Sequence, residues 1–137
     1  MKIAIPRERK ILEGRIALTP QAVSELVEAG HEVYIENEAG QLSGYTNQNY
    51  QEAGAHISAD LASIYQADLI VKVKEPMPQE LALLNSSQIL FCYLHLAAYP
   101  QVLQQLLEKK VTALAFETLT VNEKLPLLSP MSAIAGR

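Results

Sequence analysis

The chain has 137 residues, of which 49% are hydrophobic and 19% are charged, and its formal net charge is −4. This length and composition are typical of one globular domain with a sizeable core, and they exclude a disordered chain. The negative charge argues against nucleic acid or an anionic membrane as the partner, and no apolar run reaches the roughly 18 residues of a membrane span.

Short strands and helices alternate along the first half of the chain. Residues 2–6, "KIAIP", are a predicted strand. The next predicted element is a helix over residues 19–30, with Thr19 as the N-cap, Pro20 at the first helical position and Gly30 past the end. The pattern then predicts a strand at 31–37, a short helix at 47–54, a brief strand at 55–58 and a helix with Ser58 as its cap at 58–66.

Two continuous apolar runs, residues 67–74 and 88–94, begin the second half. They are too short for typical helices, so we predict strands that are buried on both faces, as in a parallel sheet covered by helices. A helix is predicted at 100–110 and a last strand at 112–119. The inward face of that helix is predicted to consist of Val102, Leu103, Leu106 and Leu107.

The alternation of strands and helices predicts an α/β fold, a three-layer sandwich with a mostly parallel sheet similar to flavodoxin and Rossmann domains. Residues 1–120 form the predicted domain, and residues 121–137 are a tail or linker. No G-x-G-x-x-G or related cluster occurs among the six glycines, so the domain lacks a dinucleotide fingerprint. The single cysteine, Cys92, and a first apolar stretch too short for a signal peptide indicate a reducing, cytoplasmic location.

Three basic side chains are predicted to meet at one edge of this sheet. Lys74 and His95 each follow an apolar strand, and Arg15 lies in the polar loop after the first strand. In an open parallel sheet, ligands bind outside the carboxyl ends of the strands. An arginine suits a carboxylate, a lysine can polarise a carbonyl, and a histidine can move a proton near neutral pH. A small 2-oxo acid would use all three groups.

Each of these residues also has a structural interpretation. A lysine or histidine after a strand is usually a solvated loop residue, and Arg15 is an ordinary surface arginine on composition alone. We interpret the remaining candidates as structural: His31 and His56 at strand entries, Cys92 as a buried small hydrophobe, Tyr65 and Tyr93 as packing residues, and Glu36 and Glu38 as a solvated strand end.

Seven stretches occur in the order in which one enzyme family has them. They are "RIALTP" (15–20), "ELVEAGHEVYIE" (25–36), "SGYTNQNYQEAGA" (43–55), "ADLIVKVKEP" (67–76), "ILFCYLHLA" (89–97), "AFET" (115–118) and "PLLSPMSAIAGR" (126–137). With them the chain resembles the N-terminal part of the alanine dehydrogenase family, which includes proton-translocating nicotinamide nucleotide transhydrogenase. "KVKEP" together with "YLHLA" is closer to the alanine dehydrogenase branch.

The resemblance implies roles for five residues at matching positions. Arg15 matches the arginine that holds the substrate carboxylate, Lys74 the lysine that contacts and polarises pyruvate, and His95 the proposed catalytic acid/base. Met131 matches a position near the substrate, and Ser132 a position near the nicotinamide. The implied reaction is the NAD-linked, reversible oxidative deamination of L-alanine to pyruvate and ammonia, with no metal site.

The resemblance also implies that part of the enzyme is missing. The sequence stops at "AIAGR", where the family continues into a dinucleotide-binding domain that contains a catalytic aspartate. Ala133 also departs from the acidic residue common at its position. We therefore expect the N-terminal, substrate-side domain of an NAD-dependent alanine dehydrogenase, inactive alone and without tightly bound NAD. Alternatives are a non-catalytic domain that binds an oxo acid or a partner, and a transhydrogenase α-subunit fragment.

The end of the chain is also apolar. A large apolar surface rarely stays exposed on a soluble monomer, so we expect a homo-oligomer. The apolar residues of this segment are Leu125, Leu127, Leu128, Met131, Ile134 and Ala135.

Overall fold

The structure, a computed structural model, describes residues 1–118. The predicted tail at 121–137, with Met131 and Ser132, lies outside the described residues. Two short 3₁₀ turns, Gln41–Ser43 and Phe116–Thr118, accompany the regular elements. In chain order these are β1 (Lys2–Ile5), α1 (Pro20–Glu28), β2 (Glu32–Glu36), α2 (Asn47–Glu52), β3 (His56–Ser58), α3 (Leu61–Ile64), β4 (Leu69–Lys74), α4 (Pro78–Leu81), β5 (Ile89–Tyr93), α5 (Pro100–Lys109) and β6 (Thr112–Ala115).

The six described strands form one parallel sheet in the order β3-β2-β1-β4-β5-β6. The chain builds outward from β1 to β3, then crosses over and builds outward again from β4 to β6. This is the doubly wound order, and its direction reverses between β1 and β4. Ligands of such sheets bind at this switch point, outside the carboxyl ends of the strands. The topology therefore predicts a ligand site among the residues that follow β1 and β4.

The sheet separates two hydrophobic cores. Successive side chains of a strand point to opposite faces, so Ile3 and Ile5 lie in one core and Ala4 in the other. The first core includes the fully buried Val23 of α1, and the second includes Val102 and Leu106 of α5. Helices therefore cover both faces, which confirms the predicted three-layer α/β sandwich.

The predicted ends of α1 are confirmed. The Thr19 hydroxyl accepts a hydrogen bond from the backbone N of Ala22 at 3.2 Å, and Pro20 is the first helical residue. Gly30 follows the helix with φ of 97°, a backbone conformation that residues other than glycine rarely adopt. A second contact fixes this region, because the Tyr50 hydroxyl of α2 donates to the Leu18 carbonyl at 2.8 Å. Burial raises the pKa of Tyr50 to about 12.

The predicted cap of α3 is wrong. Ser58 is the last residue of β3, and the helix begins only after Asp60, whose carboxylate accepts a hydrogen bond from the backbone N of Ala62 at 3.2 Å. Strand pairing holds Ser58 in extended conformation, so the next side chain able to cap takes its place. Ile64 and Tyr65 are each 1% exposed, and the prediction that Tyr65 is a packing residue is confirmed.

The inward face of α5 is narrower than predicted. Val102 and Leu106 are buried, but Leu103 and Leu107 are 38% and 69% exposed. The apolar stripe of α5 is wider than the part of the helix that packs against the sheet near its edge. Periodicity alone therefore overestimated how many side chains of α5 are buried. The last strand is also shorter than predicted, because β6 ends at Ala115 in a 3₁₀ turn. No helix within residues 1–118 is long and apolar enough to cross a membrane.

Candidate functional site

The three predicted site residues of the described chain follow neighbouring strands. Lys74 is the last residue of β4, His95 comes two residues after β5, and Arg15 lies in the loop between β1 and α1. Strands β1, β4 and β5 are adjacent and parallel, so all three segments reach the carboxyl edge of the sheet. This edge includes the switch point between β1 and β4, which the strand order shows.

Arg15 is paired with a residue that the sequence did not single out. Its Nε donates to Glu13 Oε1 at 2.8 Å, and its Nη2 donates to Glu13 Oε2 at 2.6 Å. These hydrogen bonds raise the pKa of Arg15 and lower the pKa of Glu13. The positive charge of Lys74 also contributes to the lowered pKa of Glu13. Glu13 is therefore ionised at neutral pH and links Arg15 electrostatically to Lys74.

Lys74 is held through its backbone by Glu8. The Glu8 carboxylate accepts hydrogen bonds from the backbone N atoms of Val73 and Lys74, each at 3.0 Å. The pairing of β4 with β5 also shifts its register between Val71 and Lys74. Such irregularities re-aim a side chain at the end of a strand. Glu8, which follows β1, thus ties two neighbouring strands together across the switch point.

A buried ionic cluster, made of Glu8, Arg9, Glu36, Lys72 and Glu80, lies beneath this edge. The Lys72 ammonium, 1% exposed, is 3.2 Å from Glu80 and 3.5 Å from Glu8, and Arg9 pairs with both Glu36 and Glu80. Burial lowers the pKa of Arg9, but its hydrogen bond to Glu36 and the charges of both glutamates outweigh that effect.

The cluster corrects one prediction and reveals residues that the sequence analysis missed. Glu36 is not part of a solvated strand end, because its side chain is 7% exposed and accepts a hydrogen bond from the backbone N of Arg7. The sequence did contain one sign of this buried ionic cluster. Lys72 interrupts an apolar run in a strand that helices cover on both faces. A lysine there must be paired, since an isolated buried charge is too costly.

His95 is exposed, and its backbone is held in an uncommon conformation. Its φ is 48°, in the left-handed region that a residue other than glycine seldom adopts. The Glu117 carboxylate accepts hydrogen bonds from the backbone N atoms of Leu94 and His95, at 3.0 and 3.1 Å. The His95 ring stacks on Tyr93 with 6.5 Å between ring centroids, and Tyr93 packs edge-on against Phe116. Tyr93 is thus a packing residue, as predicted, but it packs against His95 itself.

A cleft of about 560 Å³ opens at the carboxyl edge beside Arg15. It is lined mainly by the loop after β1 and the segment after β2, and it includes both Glu13 and Arg15. Lys74 and His95 do not line it.

The other residues that were interpreted as structural have structural contacts. Cys92 is fully buried in β5, and burial raises the pKa of its thiol. His56 packs against Tyr34 with ring centroids 5.1 Å apart, and His31 Nδ1 lies 3.2 Å from the N-terminal amino group. Within residues 1–118, no group of three or more His, Cys, Asp or Glu side chains could hold a metal ion.

The loop after β1 differs from that of a dinucleotide-binding domain. Such domains have a short glycine-rich turn there, which brings the backbone close to a pyrophosphate. This chain has instead a long, charged loop from Pro6 to Thr19 with Gly14 as its single glycine. The switch point therefore has charged side chains of both signs, among them Arg15 and Glu13, where a dinucleotide-binding domain has a glycine-rich turn.

Comparison with known proteins agrees with this architecture. Residues 4–135 match the family described as "Alanine dehydrogenase/PNT, N-terminal domain". The chain is 48% identical over its full length to alanine dehydrogenase of Bacillus subtilis (strain 168), of which it covers 36%. It is 49% identical to alanine dehydrogenase of Methanococcus maripaludis, of which it covers 37%. The chain therefore spans little more than a third of these curated relatives.

Solved structures show the same relationship. An L-alanine dehydrogenase superposes on the whole chain with a TM-score of 0.96 and 46% identity, and 38% of that protein is covered. A transhydrogenase from Sinorhizobium meliloti superposes on 88% of the chain with a TM-score of 0.83 and 27% identity, and 36% of it is covered. The alanine dehydrogenase is thus the more similar of these two. The chain belongs to the alanine dehydrogenase/PNT N-terminal domain family.

Proposed function

We propose that this chain is the substrate-binding part of an NAD-dependent alanine dehydrogenase, which interconverts L-alanine and pyruvate with ammonia. The observation that supports it best is that Arg15 follows β1, Lys74 ends β4 and His95 follows β5, three neighbouring parallel strands of a chain that is 48% identical to an alanine dehydrogenase. Arg15 anchors the substrate carboxylate, Lys74 polarises the carbonyl oxygen, and His95 transfers a proton.

The remaining roles rest on residues outside the described part of the chain. Met131 lies near the substrate and Ser132 near the nicotinamide in this proposal, as the resemblance implies. NAD supplies the hydride acceptor when bound. Residues 1–118 contain no glycine-rich turn for a dinucleotide, so we expect the isolated chain to bind pyruvate without catalysis.

Two measurements test this proposal. Amide NMR spectra of the purified chain during a pyruvate titration should shift at residues around Arg15, Lys74 and His95, and lactamide should cause no such shifts. NADH oxidation by the isolated chain with pyruvate and ammonium should be absent. Shifts confined to other surfaces would contradict the proposed site, and NADH oxidation would contradict the assignment of the hydride chemistry to another part of the enzyme.

Substitutions in a complete enzyme containing this chain would separate the roles. Arg15→Lys should mainly weaken pyruvate binding, because a point charge cannot reproduce a bidentate fork. His95→Ala should lower turnover by roughly 10²–10⁴-fold, as expected for a general acid/base. Full turnover with only a raised KM in the His95 variant would show that His95 binds substrate without transferring a proton.

A second candidate is a non-catalytic domain that binds an oxo acid. Arg15 and Lys74 could bind such an anion without any dinucleotide, because this role needs only their positive charges. Pyruvate binding that persists while every longer form of the protein remains inactive would support this candidate.

We also propose a cytoplasmic homo-oligomer. Leu103, Leu107 and Leu114 are exposed on α5 and β6, on the side of the sheet where β6 has no further described strand beside it. Exposed apolar side chains beside an unpaired strand edge favour association. Sedimentation over a range of concentrations should show a dimer or larger species, whereas a monomer throughout would refute this part of the proposal.

A further inference from the structure

We propose that Glu13 is a positioning residue, which holds one edge of the Arg15 guanidinium and leaves the other edge for the substrate carboxylate. This inference rests on the proposed role of Arg15 as the carboxylate anchor. It assigns to Glu13 a function in selecting the orientation of the substrate, although Glu13 itself need not touch the substrate.

The geometry of the pair supports this role. A guanidinium has one fork formed by Nε and Nη2 and another formed by Nη1 and Nη2. Glu13 accepts hydrogen bonds from Nε and Nη2, at 2.8 and 2.6 Å, so it takes the first fork. The second fork, at the tip of the Arg15 side chain, remains directed away from Glu13. A carboxylate can bind there bidentately without displacing Glu13.

Glu13 is fixed more firmly than the residue that it holds. Its side chain is 9% exposed, whereas that of Arg15 is 49% exposed. Glu13 Oε1 also accepts a hydrogen bond from the backbone N of Arg15 at 3.0 Å, and Glu13 N donates to the Lys10 carbonyl at 3.1 Å. The adjacent Gly14 carbonyl accepts a hydrogen bond from Ser43 at 2.7 Å, which joins the loop to the segment after β2.

Fixing Arg15 before the substrate arrives should increase affinity. Arginine is a long, flexible side chain, and ordering it on binding has an entropic cost. Because Arg15 is already paired with Glu13 in the folded chain, part of its side-chain entropy is lost during folding and not when the substrate binds. The negative charge of Glu13 opposes the binding of an anion, so its removal has two effects of opposite sign. A test must therefore change the geometry of Glu13 while keeping its charge.

Glu13→Asp meets this requirement, since the aspartate keeps the charge but is one methylene too short to reach both nitrogens in the same geometry. The matched control is Glu28→Asp, because Glu28 is exposed at the end of α1, which reaches the opposite edge of the sheet. Pyruvate affinity is measured by NMR titration of the isolated chain. Independently of substrate, the Arg15 Nε–H signal and its exchange with water report whether the guanidinium is held.

We expect Glu13→Asp to weaken pyruvate binding by about 2- to 10-fold, the cost of ordering one flexible side chain, and to accelerate exchange of the Arg15 Nε–H. Glu28→Asp should change neither. Unchanged or tighter pyruvate binding in Glu13→Asp, with faster Nε–H exchange, would overturn the positioning role and identify Glu13 as a competitor for Arg15.

The failure of the proposed function has a different signature. If the unsubstituted chain did not bind pyruvate although its Arg15 Nε–H was protected, the anchor role of Arg15 would be wrong. If that Nε–H exchanged rapidly in the unsubstituted chain, the inference about Glu13 would be wrong, whatever the affinity for pyruvate. The amide spectra of each variant show whether the fold is retained.

Discussion

Glu117 and His95 are joined by a hydrogen bond of 3.1 Å from the backbone N of His95 to a carboxylate oxygen of Glu117. The same carboxylate accepts from the backbone N of Leu94, so two consecutive amide groups converge on one anion. Because His95 has φ of 48°, this contact stabilises a conformation that is otherwise uncommon outside glycine. The backbone conformation of the proposed proton-transfer residue is thus fixed by a residue in the 3₁₀ turn that follows the neighbouring strand β6.

Glu117→Gln should loosen this arrangement. A hydrogen bond to a charged acceptor contributes more than one to a neutral amide oxygen, so we expect a loss of about 1–2 kcal/mol in the free energy of unfolding. The backbone amides of Leu94 and His95 should exchange with water faster, as measured by native-state hydrogen exchange. Glu28→Gln serves as the control for the lost charge. Equal exchange rates of the Leu94 and His95 amides in the two variants would show that the hydrogen bonds to Glu117 do not stabilise this turn.

Lys72→Met should destabilise the chain strongly. The substitution removes the ammonium that lies 3.2 Å from Glu80 and 3.5 Å from Glu8, and both carboxylates remain buried. Breaking a buried pair by removing one partner costs about 3–5 kcal/mol. Urea unfolding measures this loss, and Lys2→Met, at an exposed position of β1, should change stability by less than about 0.5 kcal/mol. A similar small change for Lys72→Met would mean that the cluster does not need its central cation.

Two glycines allow the cost of a steric clash to be separated from the cost of backbone strain. Gly54 and Gly30 have nearly equal φ values of 100° and 97°. A Cβ at Gly54 would lie 2.9 Å from Val27, whereas a Cβ at Gly30 would have no neighbour within 4 Å. Gly30→Ala should therefore cost about 1–3 kcal/mol from strain alone, and Gly54→Ala should cost more. Thermal or urea unfolding of both variants measures the difference, and equal losses would contradict the close approach of α1 to Gly54.

The Glu13–Arg15 pair should make stability depend on acid pH. The pKa of Glu13 is lower in the folded chain than in the unfolded chain, because of its hydrogen bonds with Arg15 and the charge of Lys74. Its contribution is therefore fully present above the ordinary glutamate pKa of about 4.3 and is lost as the pH falls through the lower, folded pKa. Urea unfolding of the unsubstituted chain and of Glu13→Gln should show a stability difference that is constant near neutral pH and shrinks in acid. A difference that does not change with pH would refute the ionised pair.

The sequence by itself determined most of the elements and their layering, although it did not predict the short helix α4. Apolar runs at 67–74 and 88–94 identified strands covered on both faces, and Thr19 and Gly30 marked the ends of α1, because these signals depend on nearby residues. The same logic placed Arg15, Lys74 and His95 at one edge, since the carboxyl ends of parallel strands meet there. The roles of these three residues stay predictions.

The tertiary structure alone decided which carboxylates hold that edge. Glu8 binds the backbone of Val73 and Lys74, which lie 65 and 66 residues later, and Glu117 binds a turn 22 residues before it. Periodicity reports whether a segment is buried, but not which distant group it meets, because partners depend on strand order and register. For the same reason Glu36 was wrongly expected in solvent, and Leu103 and Leu107 in the core. A side chain is buried or exposed according to what the fold places over it, and that covering comes from parts of the chain remote in sequence.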